Sequence, residues 1–359
     1  MNTIKLSLLA TLTLTIAAAA CDVQVDETTV DTPPPAAVTP QPPAQAPAPP
    51  RADVPVLSST HAHQLRSDIV GETYRISVAV PEEFIPGMGA APGATFPVIY
   101  VLDGYWAFGG AAEFARTQAP YSMPHAIVVG IAYDDQSSAG RLLRRSRDFT
   151  PTSWDLYATV NNRQLDGLAA AGVPLPFDRY PMGGADRFLD FVERELKPFI
   201  AARYPVNPAD STVVGTSFGG LLAAHALFTR PAVFQRYVIV SPGLNWDDGL
   251  IAREEQAYAS SHTDLPAAVF LAAGGREREQ RMANAAQGDD AHRTLEESYR
   301  MVERVGALAE TLRGRRYPGL DVKSVVIEGE NHVTTAASAV PIGLRAVFGS
   351  KFFFDLEQL

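Results

Sequence analysis

Short, near-continuous apolar runs recur along this chain, and they restrict its fold more than any other feature. FPVIYVLDG (96–104), HAIVVGIAY (125–133), YVIVSPG (237–243) and AAVFLAAGG (267–275) are apolar at successive positions, as strands covered on both faces must be. Between them lie segments with helical spacing. In ADRFLDFVERELKPFIAARY, Phe188, Phe191, Val192, Leu196, Phe199 and Ile200 fall on one stripe. A long helical stretch around Ser298 to Arg313 precedes DVKSVVIEG, and a final helix closes the chain. Near the start, YRISVAVP (74–81) alternates like a half-buried strand, with HQLRSDIVG before it as a pairing partner. Strands alternating with helices predict an α/β protein with a mostly parallel central sheet and helices on both faces. Residues 159–184 lack clear periodicity and are expected to form a loop near the functional site.

The N-terminal part reads differently. Lys5 precedes a largely apolar run from Leu6 to Ala20, too short to favour a membrane-spanning helix and ending in small residues. Cys21, the sole cysteine, follows directly, and the arrangement resembles a bacterial lipoprotein signal. Residues 1–20 are therefore expected to be a signal peptide of the lipoprotein type, with Cys21 lipidated; a plain secretory signal with an incidental cysteine is the alternative. The protein would be exported to the periplasm or cell envelope and touch the membrane only through that anchor. In residues 21–52, PPPAAVTPQPPAQAPAPP is half proline and cannot bury a core, so a disordered tether is expected there. Residues 53–359 remain for one large catalytic domain; the chain as a whole is 46% hydrophobic and 19% charged. A formal charge of −10 without a basic stripe argues against nucleic acid as a partner.

The chemistry centres on VVGTSFGGLLAAHAL (213–227). Gly215-Thr216-Ser217-Phe218-Gly219 stands between an apolar strand and a helix of small residues, the context that a nucleophile elbow requires. A serine hydroxyl needs a base to take its proton, and histidine suits neutral pH. Of the later histidines, His225 lies within the helix leaving the elbow, His262 precedes a strand at the far sheet end, and His292 sits in a polar insertion. His332 follows the last strand on the same sheet edge as Ser217 and is the expected base. A carboxylate should hold its tautomer. Glu277 is favoured, with Glu279, Asp247 and Asp248 as the other acids ending nearby strands. The N–H of Phe218 and one from the loop after VIYVLDG, expected at Tyr105 with Gly104 and Trp106 as alternatives, would stabilise an oxyanion. Asp103 reads as a turn former. Tyr105, Trp106 and Trp246 are candidates for a substrate pocket. Arg145 and Arg147 could anchor an anionic substrate or form a structural Arg–Asp corner. No metal-ligand spacing or phosphate-cradling loop is present, so neither metal nor cofactor is expected.

With these residues in place, the chain resembles the putative-esterase family of α/β hydrolases, which includes esterase D and the enterochelin and bacillibactin esterases. The similarity runs through LRSDIVGETYRISVAVP, FPVIYVLDGYWAF, RSRDFTPT, GGADRFLDFVERELKPFIAARYPV, VVGTSFGGLLAAHALFTRPAVFQRYVIVSPGLNWD and VVIEGENH. It implies the α/β-hydrolase fold, Ser217 as nucleophile, His332 as base and an acid near Glu277. The implied activity is serine-dependent hydrolysis of a small-molecule carboxylic ester through an acyl-enzyme, siderophore-type lactones among the substrates. Acyl transfer or thioester cleavage at the same site, and a non-catalytic surface binding module, are the competing readings.

Overall fold

The computed structural model describes residues 57, 59–81, 93–119, 121–135 and 137–349. The signal peptide, Cys21, the tether and the proposed domain start at residue 53 lie outside the described residues. Among the described residues, eight strands form one sheet: β1 (Thr60–Arg66), β2 (Thr73–Ala79), β3 (Phe96–Val101), β4 (Ile127–Tyr133), β5 (Val206–Thr216), β6 (Arg236–Val240), β7 (Ala267–Gly274) and β8 (Leu320–Ile327). Their spatial order is β1-β2-β4-β3-β5-β6-β7-β8. The first two pairings, β1 with β2 and β2 with β4, are antiparallel, and the rest of the sheet is parallel. Each apolar run became an inner strand. All seven residues of β4 are buried, because helices cover both of its faces.

The described helices are α1 (Gly104–Gln118), α2 (Ser138–Phe149), α3 (Asp155–Ala170), α4 (185–201, with a π-turn at Val192–Leu196), α5 (Phe218–Thr229), α6 (Trp246–Ser261), α7 (Glu277–Ala285), α8 (Asp290–Ser298), α9 (Met301–Arg315) and α10 (Thr335–Phe348). Helices α1 and α10 pack on one sheet face, closing a core that contains Ile99, Val101, Phe108, Val238 and Phe270. Helices α4, α5 and α9 pack on the other. There the larger core includes the ring cluster Tyr74, Phe149, Phe188 and Phe191, with Tyr74 stacked on Phe191 at 4.3 Å between centroids.

One expectation is corrected. The first part of the 159–184 segment is helix α3 and not a loop. Its buried residues, Tyr157, Val160, Asn161 and Leu165, form a narrow stripe at helical spacing. That stripe begins before residue 159 and contains an asparagine, so the apolar pattern inside the window is too sparse to read.

The parallel strands all run toward the same edge, where β3, β5, β6, β7 and β8 hand over to Asp103, Ser217, Ser241, Glu277 and His332 respectively. In open α/β sheets this carboxyl edge is where sites form. Phe188 is fully buried between α4 and the sheet. Its replacement by Ala should destabilise the protein by about 3–5 kcal/mol through a cavity, measured as a lowered urea midpoint with unchanged slope.

Candidate active site

Gly215 and Gly219 make the turn at Ser217 possible. A Cβ on Gly215 would lie 2.2 Å from the Gly219 carbonyl oxygen, so any larger residue would push the strand end off the helix start. Between them Ser217 adopts φ 61 and ψ −116, a strained conformation for a residue with a side chain. It is held there from both sides. Its N–H donates to Val240 O at 2.9 Å, and its carbonyl accepts from Leu221 N at 2.9 Å. The hydroxyl therefore stands at the sheet edge, and the Phe218 N–H opens helix α5.

His332 sits in the turn after β8. Its backbone N–H donates to Gln280 Oε1 at 2.9 Å, and Asn331 Oδ1 accepts from Val333 N and Thr334 N at 2.9 and 3.2 Å. The ring spans two partners: Nε2 lies 3.1 Å from Ser217 Oγ, and Nδ1 lies 2.8 Å from Glu277 Oε2. A carboxylate can only accept, so Nδ1 carries the proton and Nε2 presents its lone pair to the serine hydroxyl. Glu277 is fully buried at the first turn of α7. Its second oxygen accepts from Ser241 Oγ at 2.5 Å and from Gly274 N at 2.7 Å. Burial alone would raise its pKa, but the hydrogen bonds from His332, Ser241 and Gly274 outweigh that, and the carboxyl is held below the ordinary range. For His332, burial and the nearby Arg281 guanidinium lower the pKa, opposed by Glu277. The imidazole is thus kept neutral, the form that accepts a proton.

The other carboxylates and histidines stand elsewhere. Glu279 is exposed and pairs with Arg276. Asp247 accepts from Thr152 Oγ1 at 3.0 Å. His225 is buried, with Nδ1 2.8 Å from Glu254 and Nε2 3.4 Å from Asp186, and His262 stacks on Tyr258. His292 lies in α8.

At the end of β3, Asp103 occupies a left-handed turn with φ 55. The N–H groups of Trp106 and Ala107 both donate to its carbonyl at 3.1 Å. That removes Trp106 from the candidate oxyanion donors and leaves those of Gly104 and Tyr105, which begin the helix. Gly104 must be glycine, because a Cβ there would lie 2.7 Å from the Gly130 carbonyl carbon. The Tyr105 and Trp106 side chains are 61% and 62% exposed, and the Arg141 guanidinium stacks 4.0 Å above the Tyr105 ring. Both aromatic rings can therefore meet a substrate.

Of three further expected substrate contacts, Arg145 and Trp246 are buried, and Arg147 is half-buried and already paired. Arg145 is buried, with Nε donating to Asp103 Oδ1 at 2.7 Å and a terminal nitrogen donating to the Thr216 carbonyl at 2.9 Å. Arg147 bridges Asp148 and Glu72, at 2.7 and 3.3 Å, so its charge is already neutralised. Trp246 is 1% exposed and packs against Trp154, Tyr157 and Phe218, donating its indole N–H to Thr152. It supports the site from behind. Nothing in the sequence tells a buried Trp or Arg from a pocket-lining one: Trp246 follows a strand end as a pocket residue would, and Arg145 lies in a helix whose partners come from distant segments. Among the described residues, no group of three or more His, Cys, Asp or Glu is arranged to hold a metal ion.

The Esterase family model, described as putative esterase, matches residues 178–312. A siderophore triacetylfusarinine C esterase of Aspergillus fumigatus is 31% identical over 289 residues, which cover 77% of this chain and 89% of the relative. A ferri-bacillibactin esterase of Bacillus subtilis is 27% identical, covering 80% and 89%. Among solved structures, the siderophore hydrolase EstA of Aspergillus nidulans aligns with a TM-score of 0.64 at 26% identity, covering 86% of this chain and 99% of that one. With the sheet order, the carboxyl-edge site and these relatives together, the chain belongs to the putative-esterase family of α/β hydrolases and is an ester-hydrolysing enzyme.

Proposed function

We propose that this enzyme hydrolyses the ester bonds of ferric siderophores through a covalent acyl-enzyme on Ser217. The observation that carries the chemistry is the continuous relay from Ser217 Oγ through His332 to buried Glu277. Ser217 Oγ attacks the ester carbonyl while His332 Nε2 takes its proton. The carbonyl electrons move onto oxygen, where the N–H groups of Phe218 and Tyr105 donate to the oxyanion; each such donor is typically worth about 10²–10³ in rate. Collapse breaks the bond to the alcohol, which leaves with the proton from His332. Water then attacks the acyl carbon by the same route and frees the acid and Ser217. Throughout, Glu277 orients the imidazole and balances its transient charge.

The substrate class is supported by the relatives, which are named as a siderophore triacetylfusarinine C esterase and a ferri-bacillibactin esterase. The exposed Tyr105 and Trp106 rings, on the helix that starts at the same carboxyl edge, suit a bulky, partly apolar substrate. Thioester cleavage and acyl transfer would use the same groups, so substrate comparison decides. Export and lipidation at Cys21 accord with a substrate met in the cell envelope, and they rest on residues 5–21 of the sequence.

Purified enzyme is expected to cleave ferric triester siderophores with kcat/KM well above that for p-nitrophenyl acetate, feruloyl esters or S-formylglutathione, read by chromatography of the released monomers. A higher value for any of the others would remove the siderophore assignment. Ser217→Ala should lose fluorophosphonate labelling and at least about 10³-fold in kcat. Glu277→Gln should lower kcat by about 10²–10⁴, whereas Glu279→Gln should leave it unchanged. The lowered His332 pKa keeps the base neutral into mild acid, so the acid limb of log kcat/KM against pH should have its midpoint below the ordinary histidine value of 6.5. A midpoint above that value would contradict the charge balance around His332. Cys21→Ser, expressed in a bacterial host, should move the protein from the membrane fraction to the soluble envelope fraction on immunoblots.

A further inference from the structure

We propose that Arg145 is a positioning residue that fixes the distance between the two halves of the oxyanion hole. The inference rests on the assignment of Ser217 as nucleophile and of Phe218 and Tyr105 as oxyanion donors. Those donors come from different elements: Tyr105 from the turn after β3, and Phe218 from the turn after β5. The strands are parallel neighbours, with Val101 opposite Val214 and Leu102 N donating to Val214 O at 3.0 Å. The ladder ends there. Past it, the β3 turn bends away through a left-handed Asp103, and the β5 turn bends through a strained Ser217. Backbone pairing therefore stops just short of the atoms whose spacing matters.

Arg145, from α2, closes that gap. One edge of its guanidinium holds Asp103 Oδ1, and another nitrogen holds the carbonyl of Thr216, the residue before the nucleophile. Its Cζ also lies 5.3 Å from the Phe218 ring centroid. A single rigid, planar cation thus touches the β3 turn, the β5 turn and the side chain of the residue that supplies the second donor. Only a guanidinium can do this, because its donors point in fixed, divergent directions, whereas an ammonium is a point charge on a shorter reach. The side chain is buried, and these hydrogen bonds go to the two turns and not to Ser217 or His332, so it acts on the spacing of the donors through the turns. The same geometry gives Asp103 its purpose: a carboxylate at the strand end anchors the loop to the clamp.

The test compares wild type with Arg145→Lys and Asp103→Asn, both of which preserve approximate volume, after circular dichroism and thermal melting establish folding. For a reactive ester, kcat is expected to fall about 10–100-fold with KM within about threefold. The decisive readout is the Ki of a trifluoromethyl ketone, whose adduct with Ser217 carries the oxyanion. It should weaken by the same factor as kcat/KM in each variant, because both report the same stabilised oxygen. A merely structural role would lower the melting temperature without this proportionality. If either folded variant keeps wild-type kcat, or loses activity while the ketone Ki stays unchanged, Arg145 does not position the hole. Should the Lys variant fail to fold, the Asn variant decides by the same criteria. Wild-type enzyme that neither turns over esters nor reacts with the ketone would instead remove the underlying assignment of Ser217.

Discussion

The site depends on one strained residue. Ser217 occupies backbone angles that side chains rarely adopt, and the protein holds it there by hydrogen bonds from two neighbouring elements and by glycines at the crossing of β5 and α5. The strain has a geometric result. It lifts the hydroxyl clear of the sheet while starting a helix at the next residue, so a nucleophile and a free main-chain donor arise from one bend. Everything else on the carboxyl edge is placed relative to that bend, because the neighbouring parallel strands end at nearly the same level.

The interior around the bend is unusually ionic, and the charges are arranged in matched sets. Arg145 faces Asp103, Arg147 faces Asp148 and Glu72, and Arg281 faces Glu296 across 3.2 Å, while the Glu277 carboxylate accepts from the neutral His332 ring. Buried pairs of this kind contribute little net stability, since desolvation consumes most of their attraction, but breaking one leaves an uncompensated charge. Their value here is directional. The Arg145–Asp103 and Arg147–Glu72 pairs pin turns that ordinary backbone pairing does not reach, and burial, helped by the nearby Arg281, keeps the His332 ring neutral and available as a base.

Much of this was legible in the sequence. Apolar runs disclosed the inner strands, because double-sided burial removes the polar alternation that would disguise them. Ser217, His332 and Glu277 could be picked out because each follows a readable strand and belongs to the edge that the first glycine motif defines. The unread features share a cause. Helix α3 buries Asn161 within a narrow stripe, so periodicity understated it. Arg145 and Asp103 are separated by 42 positions, and no local pattern links them. Trp246 looked like a pocket wall because its segment ends a strand. The Trp154, Tyr157 and Phe218 rings that enclose it come from distant parts of the chain.

Tyr105 divides its labour between main chain and side chain. Its N–H lies in the first turn of helix α1 at the carboxyl edge, while its ring is exposed beneath the Arg141 guanidinium. A main-chain donor is common to every amino acid except proline. Exchange of the ring therefore leaves the hydrogen-bonding atom where it is, and the adjacent Trp106 is free in the same way. Such a layout lets an exposed rim at the carboxyl edge change, one aromatic at a time, without moving the main-chain atoms beneath it. Diversification across chemically unlike esters becomes a matter of redecorating a rim while the machinery beneath stays constant.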